Sequence, residues 1–163
     1  MTSPLPKVDL KYLSLLWATH EHAAEVARLH ASLFEPGWDE ASVARMLSHP
    51  GSIAMLAGAG MPRQIGAFAM AQVAADEAEI LSIGVAVPWQ RLGVATRLLD
   101  GLKRAAVRAG ARQMFLEVAE SNAPARALYA KGGFTETGRR QGYYARSGGG
   151  SEDALIMRAA LAE

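Results

Sequence analysis

The sequence predicts a mixed α+β (α/β) fold with a mostly antiparallel sheet, and three observations lead to this prediction. Helical patterns come first in the chain, a series of strands separated by turn residues follows, and one strand–helix–strand unit typical of a parallel crossover comes after them. We expect about six or seven strands and about four helices. The length of 163 residues suits a single domain, 1–163, of which residues 1–11 are expected to be a flexible N-terminus.

The first half of the chain is predicted to form an edge strand, two helices and a hairpin. Thr19 and Asp39 are residue types that cap helix N-termini, while Pro36-Gly37 and Pro50-Gly51 are turn signals. Apolar spacing then predicts strands at 12–18, 53–57 and 65–73, and helices at 22–33 and 38–48.

The second half is predicted to contain the crossover, a short helix and two final strands. A β-branched run at 80–87 is closed by Pro88, and the following helix ends at Gly110. Its apolar face is predicted to comprise Leu99, Leu102, Ala106 and Ala109. The remaining elements are strands at 112–119, 134–142 and 153–159, and a helix at 123–131.

The turn from Gln90 to Thr96 has the properties of an anion-binding loop. It leads from a strand into a helix N-terminus, where backbone N–H groups are free and the helix dipole is positive. Gly93 and Ala95 are small, which lets a phosphate approach the backbone closely. The spacing fits neither the G-x-G-x-x-G fingerprint nor the Walker loop.

The same loop resembles the Gln/Arg-x-x-Gly-x-Gly/Ala pyrophosphate loop of the GNAT acetyltransferases, with Gln90, Gly93 and Ala95 at its three positions. Two further stretches, E-V-A-E-S-N at 117–122 and A-L-Y-A-K-G-G-F at 127–134, resemble the family's next two signatures in the same order. Three ordered matches over about a third of the chain make a specific pattern. The resemblance implies the GNAT fold, acetyl-CoA as co-substrate and no metal.

The resemblance also implies which residues bind the cofactor. In the family, a bulge in the strand before the loop frees backbone N–H groups for the thioester carbonyl, and Gly84 is compatible with such a bulge. Asn122 would bind the pantetheine region, although the residue alone would also serve as a helix cap. The implied cofactor-binding residues are Ile83, Gly84, Val85, Gln90, Arg91, Leu92, Gly93, Val94, Ala95, Thr96 and Asn122.

Two residues are implied to be catalytic, Glu117 as the proton acceptor and Tyr129 as the proton donor to the departing thiolate. From the residues alone, a carboxylate in a strand is more often simply exposed, and a tyrosine in a helix more often a packing aromatic. Glu120 is a rival carboxylate. Lys103, Arg104, Arg108 and Arg112 are expected to form a solvated face, and whether one reaches the cofactor's outer phosphate stays open.

The C-terminal stretch resembles one branch of the family, the ribosomal-protein alanine N-acetyltransferases of the RimI type. The resemblance lies in R-R-Q-G-Y-Y at 139–144 and E-D-A-L-I-M at 152–157. It implies that Tyr143 and Tyr144 line a peptide entrance, and that the acceptor is the N-terminal alanine of a small-subunit ribosomal protein. The chain departs from the pattern in Ala95, in the additional Gly142 and in the glycine run 148–150.

Composition excludes several other classes of function. The net charge of +1 provides no strong field for nucleic acid or an anionic membrane, and no apolar run has the length of a membrane span. The chain has no cysteine, which excludes disulfides, cysteine–zinc sites and a cysteine nucleophile, and fits a cytoplasmic protein. The four histidines lack a metal-binding spacing. We expect a protein substrate and a monomer or weak dimer.

Two rival functions remain at this point. The first is a GNAT enzyme that acetylates a different peptide or a small-molecule amine, which a panel of substrates would separate. The second is a non-catalytic module that binds acetyl-CoA without turning over any amine. Retention of both Glu117 and Tyr129 argues against the second.

Overall fold

A seven-stranded sheet forms the centre of the computed structural model, which describes residues 4–146 and 148–162. The strands are β1 (Ser14–Trp17), β2 (Ser52–Ala59), β3 (Gln64–Ala74), β4 (Glu77–Val85), β5 (Gln113–Ala119), β6 (Thr135–Ala145) and β7 (Ser151–Ala160). The helices are α1 (Ala23–Leu33), α2 (Glu40–Ser48), α3 (Val94–Arg108) and α4 (Ala123–Lys131). The predicted fold class is therefore confirmed, although the flexibility expected at 1–11 stays a prediction, and residues 1–3 lie outside the described range.

The predicted elements differ from the observed ones mainly at their ends. The helix at 123–131 agrees with α4 at both ends, and Asp39 caps α2 by accepting a hydrogen bond from the N–H of Ser42. By contrast, β4 begins at Glu77 rather than at residue 80, because its pairing with β3 continues past the apolar run. Ala109 is exposed at the end of α3, and the buried face of that helix uses Leu98 and Ala105 instead.

The strand order is β1-β2-β3-β4-β5-β7-β6, and every neighbouring pair is antiparallel except β4 and β5. The parallel pair is short, since its register covers only three residue pairs, from Glu77 opposite Gln113 to Glu79 opposite Phe115. Beyond Glu79 the two strands have no mutual pairing. The sheet therefore opens between the C-terminal halves of β4 and β5.

The two faces of the sheet carry separate cores. The face toward α3 buries alternate residues of β2 together with Leu98, Leu99 and Leu102, while the face toward α1 and α2 buries Phe68 and Val43. Trp89, which directly precedes the predicted anion loop, is fully buried, and its indole N–H donates to the carbonyl of Pro6 at 2.9 Å. This packing fixes the chain where it leaves β4 and enters the loop before α3.

Candidate active site

Two cavities lie at the opening between β4 and β5. One, of about 600 Å³, is lined by the end of β4, the start of α3 and α4. The other, of about 880 Å³, is lined by β5, the segment after α1 and the hairpin of β6 and β7. Five residues line both cavities: Phe34, Ile83, Asn122, Ala125 and Tyr129. The cavities therefore meet at the point where the sheet opens. We call them the loop cavity and the β5 cavity.

The predicted anion loop offers free backbone donors to the loop cavity. Gly93 is the residue before α3 and has a φ of 90°, which favours glycine, and the N–H of Arg97 is the first to bond within the helix, to the Gly93 carbonyl. The six preceding amides, 91–96, have no backbone acceptor within the described residues. The Gln90 side chain donates to the carbonyl of Val85 at 2.9 Å, which ties the loop to β4. The arrangement suits a phosphate group.

Ten of the eleven residues predicted to bind the cofactor line the loop cavity, and Leu92, which is largely exposed, does not. The basic side chains in the lining are Arg91 and Lys131, and none of the four basic residues considered for the outer phosphate is among them. Lys103 instead donates to the carbonyl of Gly132. Sequence reasoning missed Lys131, whose position at the end of α4 gave no indication of a ligand.

The expected bulge in β4 lies elsewhere in the strand. Ile83, Gly84 and Val85 pair regularly with β3. The register shift lies between Ile80 and Ser82, where Leu81 is the extra residue with no partner on β3. Gly84 is required by packing, because a Cβ there would lie 2.5 Å from Cε1 of Phe68. The backbone edge of 80–85 nevertheless has no strand neighbour on the β5 side in the described structure, so it faces the opening.

Asn122 and Tyr129 lie where the cavities meet. The Asn122 side chain caps α4 by accepting from the N–H of Ala125 at 3.3 Å, so the cap expected from the residue alone is present. Tyr129 is 7% exposed and packs edge-on against Phe134. Burial, followed by the neighbouring Tyr144, raises the pKa of Tyr129 to about 12. Its hydroxyl therefore stays protonated throughout the physiological range.

Glu117 lies on β5 and lines the β5 cavity, with its side chain only 19% exposed. Its Oε1 is 2.8 Å from Nε of Arg140, on β6. The rival Glu120 is half-exposed, forms an ion pair with Arg139 at 3.1 Å and is absent from the lining of both cavities. The structure thus brings Glu117 and Tyr129 to one cavity and leaves Glu120 outside it.

The two tyrosines predicted to line a peptide entrance are placed differently. Tyr144 lines the β5 cavity, and burial, then the charge of Glu117, raises the pKa of its hydroxyl. Tyr143 is 52% exposed and does not line that cavity. Its ring lies against the guanidinium of Arg140, with Cζ 5.2 Å from the ring centroid.

Comparison with known proteins places this geometry in a family. The sequence profile described as the acetyltransferase (GNAT) family matches residues 16–134, most of the chain. The chain belongs to the GNAT family. The family predicted from the three ordered motifs is confirmed.

Two named relatives are ribosomal-protein alanine N-acetyltransferases. The [ribosomal protein bS18]-alanine N-acetyltransferase of Escherichia coli K12 is 42% identical over 94 residues, which cover 58% of this chain and 63% of that protein. Its counterpart from Haemophilus influenzae is 39% identical over 94 residues, covering 58% and 64%. The chain thus matches less than two thirds of the length of these curated relatives.

Solved structures agree with the fold. The crystal structure of the ribosomal-protein-S18-alanine N-acetyltransferase from Escherichia coli superposes with a TM-score of 0.85 at 28% identity, covering 93% of this chain and 95% of that one. Arabidopsis thaliana NAA60 in complex with acetyl-CoA gives a TM-score of 0.79 at 16% identity, covering 91% and 98%. The second likeness is one of fold alone.

The wall of the β5 cavity in this GNAT chain contains residues that sequence reasoning did not assign. Burial lowers the pKa of His30, whose Nδ1 accepts from the N–H of Trp38 at 3.0 Å while the two rings stack 4.1 Å apart. Opposite, Glu152 accepts from the Ser121 hydroxyl at 2.8 Å, and this bond, the largest cause, lowers the pKa of its carboxyl. Of these residues, only Glu152 lies in a stretch that the sequence analysis singled out, the E-D-A motif at 152–154.

Two further structural findings concern the described part of the chain. Within residues 4–146 and 148–162, no group of three or more His, Cys, Asp or Glu side chains is arranged to hold a metal ion. Over the same ranges, the helices fall short of the length and apolar character that crossing a membrane requires.

Proposed function

We propose that this chain transfers the acetyl group of acetyl-CoA to a free amine, and that the amine is the N-terminal alanine of a small-subunit ribosomal protein. The observation that carries the proposal is the meeting of the two cavities at Tyr129 and Asn122. One cavity holds the free amides of the loop, and the other holds the Glu117 carboxylate. The named relatives that act on ribosomal protein bS18 support the choice of acceptor.

The residues of the loop cavity fit acetyl-CoA. The six free amides at 91–96 are suited to its phosphates because they are donors at the positive end of α3. The side chains of Arg91 and Lys131 add two cationic donors to the lining of the same cavity. When bound, the cofactor supplies an acetyl group activated as a thioester. The unpaired backbone edge of 80–85 offers N–H groups to the carbonyl oxygen, on which negative charge develops during attack.

Glu117 is the proposed proton acceptor. As the amine nitrogen bonds to the acetyl carbon and the bond from carbon to sulfur breaks, the nitrogen must lose a proton, which the carboxylate takes directly or through a water molecule. The position of Glu117 in the β5 cavity puts it on the side of the opening away from the loop. Direct transfer needs no covalent enzyme intermediate, which agrees with the absence of cysteine.

Tyr129 is proposed to stabilise the departing thiolate by a hydrogen bond. With a pKa of about 12, its hydroxyl is a weaker acid than a thiol of pKa about 8.5. A hydrogen bond from the hydroxyl to the sulfur stabilises the developing negative charge without complete transfer of the proton.

The deciding experiment is incubation of the protein with acetyl-CoA and whole ribosomes, followed by intact mass measurement of each ribosomal protein. We expect one small-subunit protein with an N-terminal alanine to gain one acetyl group. If a parallel panel shows acetylation of polyamines or aminoglycosides only, the proposed acceptor is wrong and the proposed reaction still stands. Tight binding of acetyl-CoA with no turnover on any amine would refute the reaction itself.

A further inference from the structure

We infer that Arg140 is a positioning residue for the candidate base, orienting the Glu117 carboxylate through an ion pair, and that Tyr143 acts on the reaction through Arg140 rather than by contact with the acceptor. The inference rests on the proposed function, since it takes Glu117 as the proton acceptor. It assigns roles to two residues on the exposed side of the β6 strand.

The contact between Arg140 and Glu117 crosses a strand. Glu117 on β5 is in register with Ile156 on β7, which is in register with Gly138 on β6. Gly138 has no side chain, so the β6 position nearest to Glu117 contributes none. Arg140, two residues further along β6, reaches across instead, and its Nε lies 2.8 Å from Oε1 of Glu117. The other oxygen, Oε2, is then the one that accepts the proton of the amine.

A bulge in β6 brings Tyr143 onto Arg140. Between the pairs Arg140–Ala154 and Tyr144–Glu152, three residues of β6 stand opposite Asp153 alone. Gly142 lies in this bulge with a φ of 61°, and its N–H donates to Oδ1 of Asp153 at 3.0 Å. The additional Gly142 noted in the sequence is thereby accommodated.

The Tyr143 ring holds the guanidinium from the outer side. Cζ of Arg140 lies 5.2 Å from the ring centroid, within the range of a cation–π contact. The ring also packs edge-on against Tyr144 at 5.1 Å, and Tyr144 lines the β5 cavity. Arg140 is 55% exposed, and the ring is the aromatic group that contacts its guanidinium. Tyr143 therefore affects Glu117 without entering the cavity.

Arg140 is the cation beside two neighbouring carboxylates, those of Glu117 and Glu79. The Glu117 carboxylate is largely buried, and Glu79 on the neighbouring strand is a second carboxylate within its electrostatic range. Burial, and next the charge of Glu117, raises the pKa of Glu79, while Arg140 acts in the opposite direction. The other titratable or charged groups around the cavity are His30, Glu35, Tyr129, Tyr144, Arg146 and Glu152.

The test is the pH dependence of kcat and kcat/KM, from pH 4.5 to 9.5, for Arg140→Gln, Arg140→Lys and Tyr143→Leu. Without the cation, burial and the nearby Glu79 carboxylate oppose the charged form, so we expect the acidic limb of Arg140→Gln to move up by roughly one pH unit. Below the limb the rate should fall by up to about tenfold, and above it the profiles of Arg140→Gln and the wild type should converge. Arg140→Lys should shift less, Tyr143→Leu should shift in the same direction, and acetyl-CoA affinity should not change.

Arg139→Gln is the matched control. Arg139 neighbours Arg140 and pairs with Glu120, Glu136 and Asp153 rather than with Glu117. We expect its pH profile to coincide with that of the wild type. Coincident profiles for Arg140→Gln and wild type, or an equal shift in Arg139→Gln, would overturn the inference.

The activity of the wild type distinguishes a failure of this inference from a failure of the proposed function. If the wild type acetylates some other amine instead of alanine peptides, the proposed acceptor fails, and the Arg140 comparison is made with that amine. If it acetylates none, the ionisation of Glu117 is followed by carbon NMR of labelled glutamate, with Glu117→Gln for assignment. A Glu117 resonance that titrates identically in wild type and Arg140→Gln would then refute the role of Arg140.

Discussion

At the scale of single residues, the proposal depends on a carboxylate and a hydroxyl where the two cavities meet. Glu117→Gln keeps the shape of the side chain and removes the base, and Tyr129→Phe removes one hydroxyl. Positioned acid–base groups contribute about 10²–10⁴-fold, so we expect kcat for Glu117→Gln to fall within that range. Tyr129→Phe should lose less, because a thiolate is already a fair leaving group. Steady-state kinetics and calorimetry with acetyl-CoA check both, and cofactor affinity should stay near normal.

Glu120→Gln is the control for these variants. Glu120 lies three residues from Glu117, but it pairs with Arg139 and lies outside both cavities. It should retain wild-type turnover. If Glu117→Gln is as active as the parent at pH 7 and Glu120→Gln is not, the assignment of the base is wrong.

At the scale of elements, the proposed function assigns cofactor binding to the N-terminus of α3. Gly93→Asp would place a negative charge among the free amides, where the dipole of α3 and the loop cavity favour an anion. We expect the fold to persist and acetyl-CoA binding, measured by calorimetry, to be largely lost.

Gly110→Asp tests the same substitution at the other end of α3. Gly110 has a φ of 94°, close to the 90° of Gly93, and a Cβ there would meet nothing within 4 Å. Both variants therefore suffer similar backbone strain, and only Gly93→Asp changes the loop. Equal loss of affinity in the two variants would contradict the anion-loop assignment.

The packing of β3 against Trp89 gives a prediction about stability. A Cβ on Gly66 would lie 2.5 Å from Cε3 of the fully buried Trp89, so Gly66→Ala forces the ring or the strand to move. Overpacking of this kind costs about 1–3 kcal/mol in the free energy of unfolding, which urea titration measures. Gly138→Ala is the control in another strand, because its Cβ would meet Ile156 at an ordinary 3.4 Å. Equal stability of the two variants would contradict this account of Gly66.

At the scale of the whole molecule, the proposed function places an extended acceptor in the opening of the sheet, and the pKa of its amine decides which amine reacts. An α-amino group has a pKa of about 8, whereas a lysine side chain has one of about 10.4. Neutralising lysine at pH 7 therefore costs about 3 kcal/mol more. We expect peptides with a free N-terminal alanine to be acetylated at that amine, and the same peptides with a blocked N-terminus to be poor substrates even when they contain lysine.

Mass spectrometry of the peptide products checks this prediction. The blocked peptide is the matched control, because it differs from the substrate only at the amine. Efficient acetylation of internal lysine, or of free polyamines but not of peptides, would refute the proposed acceptor. Only the assignment to the GNAT family would then remain.

Features that depend on neighbours in the chain could be predicted from the sequence. The loop at Gln90 to Thr96, the bounds of α4 and the capping by Asn122 follow from local backbone chemistry, namely small residues, a proline in the first turn and a side-chain acceptor. Ordered motifs then indicated the GNAT family and placed Glu117 and Tyr129 within it. These conclusions needed no knowledge of which strands lie side by side.

Features that depend on strand order and register were decided only by the tertiary structure. Glu117 and Arg140 meet because β7 pairs between β5 and β6 and because Gly138, the β6 residue nearest to Glu117, has no side chain, which no local pattern encodes. Three other features also depend on the tertiary arrangement of the elements. They are the extra residue of β4 at Leu81, the position of Lys131 in the loop cavity and the contact of Tyr143 with Arg140. A shift of one residue in register turns a side chain to the opposite face of a sheet, so contacts between strands cannot be derived from periodicity alone.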